Sequence, residues 1–394
     1  MYRRKKWIRD QVTARNMEQM LDSHEKKLPR APYLKPPFTL SEVKKAIPPH
    51  CFERSVLRSF SHLVFDITMS FCLYSIFARY VITAESVASK TFFLIKWIIY
   101  SLLQGCVISR LWAIGHECGH YAFSEYKWLD DTVGYFVHSF LLFPYFSFKY
   151  SHRRHHSKTG SLHQEELDVP LLKSQVPLIL KHLTNPAARF LALTLLLTFG
   201  VPLYLLVNFR GRAYDRFASH FNPFSPMFSR NQRAQILLSD AGILTMACGL
   251  YKLVLIKGFS WVALTCGGPY LVLNAIIMAI TILNHTHPFV PYYDSTEWDW
   301  LRGSFATIDR DIGVFNMVLH KASKTHVAHH LFPTIPHYHA EEATRAIKPI
   351  LGEYYQYDDS PFYKSLWSTV KECVYVEEDQ GEQNKGLYWY SNKF

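Results

Sequence analysis

The sequence predicts an all-α integral membrane protein, with about four transmembrane helices in two hairpins, further partial or interfacial insertions, and a cytosolic helical cap. Hydrophobic residues make up 49% of the 394 residues and charged residues only 19%, which is below the usual quarter. Several apolar segments exceed the roughly 20 residues that cross a bilayer. Histidines recur outside these segments in three clusters with helical spacing, so the cap is expected to hold a histidine-rich site for two metal ions.

The composition also limits the partners. Aromatic residues make up 15% of the chain, which suits the aromatic belts of a membrane protein. The net charge of +11 occurs without a basic-aromatic module or repeat, so we expect no nucleic-acid partner and assign the basic loops to a face that meets anionic lipid. The seven cysteines form no C-x-x-C pair, which argues against a disulfide framework and a zinc ribbon.

The chain divides into three parts. Residues 1–34 are polar and basic and are expected to form a disordered tail, residues 35–378 the membrane domain, and residues 379–394 a C-terminal tail. No apolar segment follows the basic start, so we expect no cleavable signal peptide and assign membrane insertion to the internal spans.

Two apolar segments, 57–82 and 91–114, predict the first hairpin, with a short linker at 83–90 between them. The second segment delivers His116 just beyond its end, on the same side as the basic N-terminus. Because basic segments flanking spans stay in the cytosol, the histidine clusters and the N-terminus are expected there.

The remaining apolar segments set the number of crossings. Residues 132–148 are too short to cross and are expected to lie in the interface or to dip and return. The segment 187–207 is long enough, but Gly200-Val201-Pro202 is expected to break it and an arginine-rich loop follows, so we predict no net crossing. Residues 236–283 predict two spans with a turn near Lys257-Gly258, which returns the chain to the cytosol.

Each histidine cluster places its imidazoles on one helical face, because residues three and four apart on a helix are neighbours. The clusters contain His116 and His120; His152, His155 and His156; and His326, His329 and His330. Eight imidazoles are too many for one tetrahedral zinc ion, and imidazole also suits iron, so two redox-active ions are expected. His285, at the cytosolic end of the last span, is a candidate ninth ligand, with interfacial hydrogen bonding as the alternative.

Acidic residues flank the clusters in segments that are expected to be cytosolic. Metal-bound imidazoles usually donate their second N–H to a carboxylate or carbonyl oxygen. The candidates for that role are Asp130, Asp131, Asp309 and Asp311. Each of them alone is also typical of a helix cap or a solvated charge.

Two other classes of protein share part of this pattern. The segment from His116 through Glu117 to His120 fits H-E-x-x-H, the motif of zinc metalloproteases in which the glutamate is the general base. An intramembrane protease is therefore the rival hypothesis, although it leaves the other two clusters unexplained. A metal transporter would place its ligands within the spans, near the midplane, whereas these clusters lie outside them.

Longer segments, together with the three clusters in order, carry a family resemblance. These segments are 46–52, 128–134, 150–156, 295–303 and the C-terminal 390–394. In them the sequence resembles the membrane-bound fatty acid desaturases, specifically the plant oleate 12-desaturases and their divergent hydroxylase and conjugase relatives. The resemblance covers the chain from about Lys35 to Phe394, and residues 390–394 resemble the family's aromatic retrieval signal for the endoplasmic reticulum.

The resemblance implies a non-haem di-iron enzyme, an acyl-lipid omega-6 (delta-12) desaturase that uses O₂ to insert a second double bond into oleoyl chains esterified in phospholipid. Oleoyl-phosphatidylcholine is the expected substrate, and cytochrome b5 with its NADH-dependent reductase the expected electron donor. The resemblance also implies a multi-pass protein of the endoplasmic reticulum membrane, with the active site and both termini in the cytosol. It leaves homo-oligomers and hetero-oligomers with other desaturases open.

The three histidine clusters resemble the histidine boxes of the family and are called the first, second and third box below. Residues beside these boxes depart from the family pattern and are expected to tune the outcome of the reaction. Gly115 and Ile335 resemble oleate 12-hydroxylases, whereas Thr159 is desaturase-like. Tyr121 and Lys324 replace the residues usual at their positions. The resemblance therefore implies 12-desaturation as the main reaction, with hydroxylation, acetylenation or conjugation as alternatives.

Overall fold

The computed structural model describes residues 30–79, 90–178, 185–381 and 384–394, with only the backbone described at 90–93. Residues 1–29 of the predicted N-terminal tail, and almost all of the linker predicted at 83–90, lie outside the described residues. Within the described residues the chain is mostly helical, as the sequence predicts.

Capping side chains mark where several helices begin, because they accept hydrogen bonds from backbone N–H groups that have no partner within the helix. The helices in chain order are α1 (Leu40–Ala46), α2 (Val56–Phe77), α3 (Lys90–His120), α4 (Lys127–Phe140), α5 (Tyr145–Lys158), α6 (Pro186–Val207), α7 (Arg233–Lys257), α8 (Phe259–Val262), α9 (Gly268–His285), α10 (Trp300–Ser304), α11 (His326–Leu331), α12 (His337–Leu351) and α13 (Phe362–Glu372). Thr39 and Glu42 form a capping box at α1, and Ser55 and Asn185 cap α2 and α6.

Five helical segments among the described residues are long and apolar enough to cross a membrane. They are Val56–Phe77, Leu94–His120, Pro186–Val207, Arg230–Lys257 and Phe259–His285. The last of these combines α8, a π-helical turn at Ala263–Gly267, and α9. The turn predicted near Lys257-Gly258 is confirmed, since α7 ends at Lys257 and Gly258 has a φ of 85°, a conformation that glycine adopts without strain.

The helix α6 is continuous, and the predicted break at Gly200-Val201-Pro202 is wrong. Proline removes one backbone hydrogen bond, and the rest of the helical ladder continues through Pro202. Around its middle, Leu193 and Leu197 pack with α13. Just beyond its end, Arg210 forms an ion pair with Asp168 in the loop that follows α5. The middle of α6 and the loop just beyond its end therefore contact elements on the side of the molecule that carries the histidine clusters.

The short apolar segment predicted at 132–148 is divided between two helices. α4 ends at Phe140, Leu142 takes a φ of 56°, and α5 begins at Tyr145. This tight connection folds α5 back, so the second histidine cluster returns to the end of α3, where the first cluster lies.

Short strands add to the predicted all-α fold. In chain order they are β1 (Tyr292–Tyr293), β2 (Asp309–Arg310), β3 (Tyr357–Asp358), β4 (Tyr375–Glu378) and β5 (Leu387–Ser391). β1, β5 and β4 form an antiparallel sheet, whereas β2 and β3 form a parallel pair. The C-terminal segment predicted as a tail from residue 379 therefore contains a central strand, in which Trp389 is buried.

The other predicted tail also differs at its boundary. Ala31 is buried, and the carbonyl oxygen of Tyr33 accepts a hydrogen bond from Arg302. Arg30 forms an ion pair with Asp379 at 2.9 Å. Residues 30–34 thus pack on the cap, because ion pairs and buried contacts to distant residues hold them there.

Candidate metal centre

Five histidines from three helices form the first group of imidazoles. His116 and His120 occupy the last two turns of α3, His152 and His156 lie on α5, and His329 lies on α11; one ring nitrogen of each is within 4.8 Å of the others. The Nε2 atom of His116 is 2.7 Å from that of His152 and 3.2 Å from that of His120. The helical spacing predicted from sequence therefore directs these rings to one point.

The remaining histidines of the set form a second group. His155, His285 and His330 are buried, with ring nitrogens within 4.8 Å of one another. The Nε2 atom of His285 is 3.2 Å from that of His155 and 2.8 Å from that of His326. The candidate ninth histidine, His285, thus lies at the centre of this group rather than at its edge.

The two groups adjoin, because the second and third boxes contribute to both of them. On α5, His152 and His156 point to the first group and His155 to the second; on α11, His329 points to the first group and His330 to the second. The rings of His156 and His330 stack with centroids 4.0 Å apart. This arrangement offers two neighbouring positions for metal ions.

The residues present fit metal ions in both positions. Ligating histidine must be neutral, and burial is the largest cause that lowers the pKa of His329, to about 4. The same direction holds for His152, His156, His326 and His330. Each Nε2 atom carries either one proton or one lone pair, so the Nε2 atom of His116 cannot form hydrogen bonds to both of its neighbours. A shared ion with nitrogens at about 2.0–2.1 Å would instead place neighbouring ligands about 3 Å apart.

A carboxylate that the sequence analysis missed orients one of these imidazoles. Glu165, which is 2% exposed, accepts a hydrogen bond from Nδ1 of His155 at 2.6 Å. The backbone N–H groups of Gly160 and Glu166 also donate to this carboxylate. The bond fixes the tautomer of His155 that leaves Nε2 free. Glu165 lies in the short loop ten residues after His155, and this proximity in sequence is the feature that could have identified it.

The predicted carboxylates have other partners. Asp130 bonds to Ser124 and Asp131 to Lys149 and Tyr145. Within the described residues, none of the four predicted aspartates accepts a hydrogen bond from the ring of a box histidine. The expectation that they orient the ligating imidazoles is therefore wrong. Spacing along the chain could not show which way these side chains turn.

The other two of these aspartates lie beside the third box. Asp309 accepts from the backbone N–H of Val327 at 2.8 Å and from the Tyr355 hydroxyl at 2.6 Å, which anchors the backbone of the third box. Burial raises the pKa of Asp309 to about 7. Asp311 forms an ion pair with Lys324.

Thr159 contacts two histidines of the second group through one hydroxyl. It donates to the backbone carbonyl of His155 at 2.7 Å, and its oxygen lies 3.2 Å from Nδ1 of His330. Because the hydroxyl proton is already used, the oxygen accepts from Nδ1–H, which leaves Nε2 of His330 available. Of the predicted tuning residues, this one contacts an imidazole directly.

An apolar cavity of about 90 Å³ opens beside the two groups, between α3, α9 and the cap. Its wall includes Trp112, Ile277 and Ile335, and histidines of both groups border it. Ile335 is thus placed to contact a bound chain.

The other three predicted tuning residues do not line this cavity. Gly115 packs against His138, where an added Cβ would lie 2.2 Å from Cδ2. The ring of Tyr121 lies under Lys149 and Arg153, and Lys324 is held by its ion pair with Asp311.

Glu117 is not free to act as the base of a protease. Its carboxylate accepts hydrogen bonds from the backbone N–H of His337 at 2.5 Å and from Nδ1 of the same residue at 2.7 Å. Both histidines of the H-E-x-x-H motif belong to a group of five, rather than to a three-ligand zinc site with an open position.

This combination of apolar helices and grouped histidines is typical of a membrane-bound metalloprotein, and comparison with known sequences gives its family. A fatty acid desaturase family model matches residues 93–362, and a domain of unknown function matches residues 5–75. The chain belongs to the fatty acid desaturase family. The protease hypothesis is therefore wrong.

Similar proteins come from several plants. The chain is 55% identical to a Delta(12)-fatty-acid desaturase of Vernicia fordii, over 93% of this chain and 95% of that protein. It is 54% identical to an omega-6 fatty acid desaturase of Glycine max, an endoplasmic reticulum isozyme, over 93% of this chain and 94% of that protein. It is equally 54% identical to an oleoyl-12-hydroxylase of Ricinus communis, over 93% and 94%.

Proposed function

We propose that this protein is a Δ12 acyl-lipid desaturase that converts oleoyl chains of phospholipid to linoleoyl chains. The observation that carries the proposal is the division of nine buried or half-buried histidines into two adjoining groups beside an apolar cavity. Relatives with this activity in their names match almost the whole chain, which supports the same substrate class.

We further propose that the histidine groups hold two iron ions, the first through His116, His120, His152, His156 and His329, and the second through His155, His285, His326 and His330. Bound iron supplies the oxidising power that an unactivated C–H bond requires, with O₂ as the oxidant. Removing two hydrogens from adjacent carbons and reducing O₂ to two waters consumes two electrons and two protons from outside the acyl chain. Cytochrome b5 and its NADH-dependent reductase are the proposed electron source.

The protein's own residues hold the chain and the ligands in place. The apolar wall that includes Trp112 and Ile277 excludes water from the reacting carbons. Glu165 keeps the ring of His155 oriented, and the Thr159 hydroxyl does the same for His330. With these second nitrogens held, both rings present Nε2 to the centre without reorganisation.

For the membrane arrangement we propose four crossings, by α2, α3, α7 and the helix ending in α9, in the endoplasmic reticulum membrane. α6 would lie along the cytosolic interface, an interpretation supported by the contact of its middle with α13 and by the ion pair between Arg210, just beyond its end, and Asp168. With four crossings, both termini and the histidine groups lie in the cytosol, on the side that carries the basic loops.

Hydroxylation is the second candidate reaction, and Ile335 in the cavity wall is the observation that favours it. A β-branched side chain is stiffer than the methionine that the desaturase pattern has there. Its contact with the acyl chain can change the competition between loss of a second hydrogen and addition of oxygen.

Lipid analysis of a yeast that makes oleate but no polyunsaturated chains tests the proposal. Expression of the protein should produce linoleoyl chains in phosphatidylcholine, detected by gas chromatography, while a His329→Ala variant expressed at the same level should produce none. A product that is wholly hydroxylated, acetylenic or conjugated would overturn the desaturase assignment and leave the metal centre standing.

A further inference from the structure

A third group of imidazoles lies outside the nine histidines of the candidate centre. His62 on α2, His320 in the turn before the third box, and His337 at the start of α12 have ring nitrogens within 4.8 Å of one another. The ring centroids of His337 are 4.6 Å from His62 and 4.2 Å from His320. Three elements far apart in sequence thus bring three imidazoles together.

One of these rings is already oriented as a metal ligand. The Nδ1–H group of His337 donates to Glu117 at 2.7 Å, so its Nε2 atom carries the lone pair. That Nε2 atom is buried and has no hydrogen-bond partner. A carboxylate behind a histidine, with the far nitrogen left free, is the arrangement that commonly supports a protein-bound metal ion.

A buried carboxylate supplies a fourth candidate ligand atom, an oxygen, beside the three imidazole nitrogens. Asp66, which is 0% exposed on α2, accepts from Nε of Arg110 through Oδ1. Its other oxygen, Oδ2, faces Nε2 of His320 at 3.1 Å in a contact that is an ion pair when His320 is protonated, and neither atom has another partner among the described residues. Ionisable residues buried in a transmembrane helix are costly and usually functional.

We propose that His62, His320, His337 and Asp66 form a further metal site, which binds one divalent ion of the zinc class. Three imidazoles and one carboxylate are a donor set that zinc accepts in tetrahedral geometry. Small rotations bring the nitrogens to the separation of about 3.3 Å that bonds of about 2.0–2.1 Å require, and half-buried His62 has room to rotate. The site is separate from the nine histidines and does not depend on the proposed reaction.

The position of this site gives it access to the cavity beside the metal centre. His320, His337 and Glu117 line the same cavity as Ile335. An ion bound there would fix the cap, through His320 and α12, to the first transmembrane helix, through His62 and Asp66. It would therefore hold the cavity wall in one arrangement.

Zinc binding by the full-length protein, purified in detergent with its iron, tests this proposal. The protein is incubated with excess zinc chloride, desalted, and analysed for zinc and iron by mass spectrometry. Wild type should retain one zinc per chain with no loss of iron. His62→Phe should lose that zinc and keep its iron, because phenylalanine preserves the stacking of this ring on Tyr338 and removes only the nitrogens.

Two more variants make the result decisive. His320→Gln should also lose the zinc, whereas His163→Ala, at an exposed histidine outside every group, should bind zinc like wild type. Zinc that stays at the wild-type level in both His62→Phe and His320→Gln overturns the proposal. Zinc taken up by wild type only in exchange for iron overturns it too, and that result would leave the desaturase assignment unaffected.

Discussion

Two helices of similar hydropathy, both long and apolar enough to cross a membrane, have opposite surroundings in this protein. In the most apolar part of each helix, 56% of the residues of α3 are buried, compared with 6% of those of α7. α3 ends in the first histidine pair and packs along α9, which ends in His285. α7 carries no histidine of the centre and faces outward along most of its length. Hydropathy thus identifies a helix that can cross a membrane, but it does not show how much of that helix packs against other helices.

The contrast follows from what each helix must hold in place. Close approach of α3 to its neighbours depends on small residues, such as Gly105 against Val272 and Gly115 against His138. On α7, leucine and isoleucine side chains such as Leu255 and Ile256 are exposed. We therefore expect substitutions to be far more damaging in the central pair, α3 and α9, than in α7.

The largest effect is expected where the central helices meet the histidines. His285→Ala at the end of α9 should lower linoleoyl production by about 100-fold or more, because this change removes a proposed ligand that lies between His155 and His326. The measurement is gas chromatography of lipids from the yeast host. Ile256→Ala on α7, which removes an exposed side chain, is the matched control and should retain wild-type output; equal losses in the two variants would end the distinction between the helices.

A stability difference should follow between the two kinds of helix. Leu273 on α9 is 0% exposed, so Leu273→Ala should cost about 2–5 kcal/mol of unfolding free energy through the cavity it leaves. Leu255→Ala on α7 should cost much less. Denaturant unfolding in detergent micelles measures both, and a larger cost at Leu255 would contradict the burial described for these helices.

The orientation of the second histidine group gives a smaller effect. Glu165→Gln keeps the shape of the side chain and weakens the hydrogen bond to His155, and such changes behind a ligand typically cost 10–100-fold in metal affinity or activity. Iron retention during dialysis against a chelator is the measurement. Asp311→Asn, which alters a carboxylate bonded to Lys324 and to no box histidine, should retain iron like wild type.

The smallest effect concerns the product. Ile335→Met in the cavity wall should raise the ratio of diene to hydroxylated chains, by up to about tenfold for a shift of about 1.4 kcal/mol. Gly115→Ala should leave that ratio unchanged and instead lower the amount of folded protein, since the added methyl group meets His138. A change in ratio from Gly115→Ala with normal protein levels would show that this residue acts on the substrate.

Regular spacing explains which parts of this account the sequence could predict. The histidine clusters were recognised from the period of the helix, and the apolar segments from the length that crosses a bilayer. Both features involve residues that are close together in sequence. The division of the histidines into two groups depends on how α5 folds back after Leu142 and on where α11 docks. Those are long-range contacts, and no local pattern encodes them.

The errors have the same origin. The sequence did not predict that Glu165 bonds to a box histidine, and it wrongly predicted this role for the four aspartates. The partner of a carboxylate depends on the direction of its side chain, which sequence does not show in irregular segments. The C-terminal strand β5 pairs with β1 and β4 across a long stretch of chain, so a segment that is polar and short by itself resembled a tail. The continuous helix α6 shows how packing on α9 and α13 outweighs one proline.

The iron content of the purified full-length protein tests the central claim most directly. The claim is that nine histidines form two neighbouring metal positions. Elemental analysis should find two iron ions per chain in the wild type, and Mössbauer spectroscopy should show that the two ions are magnetically coupled. Protein that is active with a single iron ion, or that holds one zinc ion and no iron, would contradict the claim.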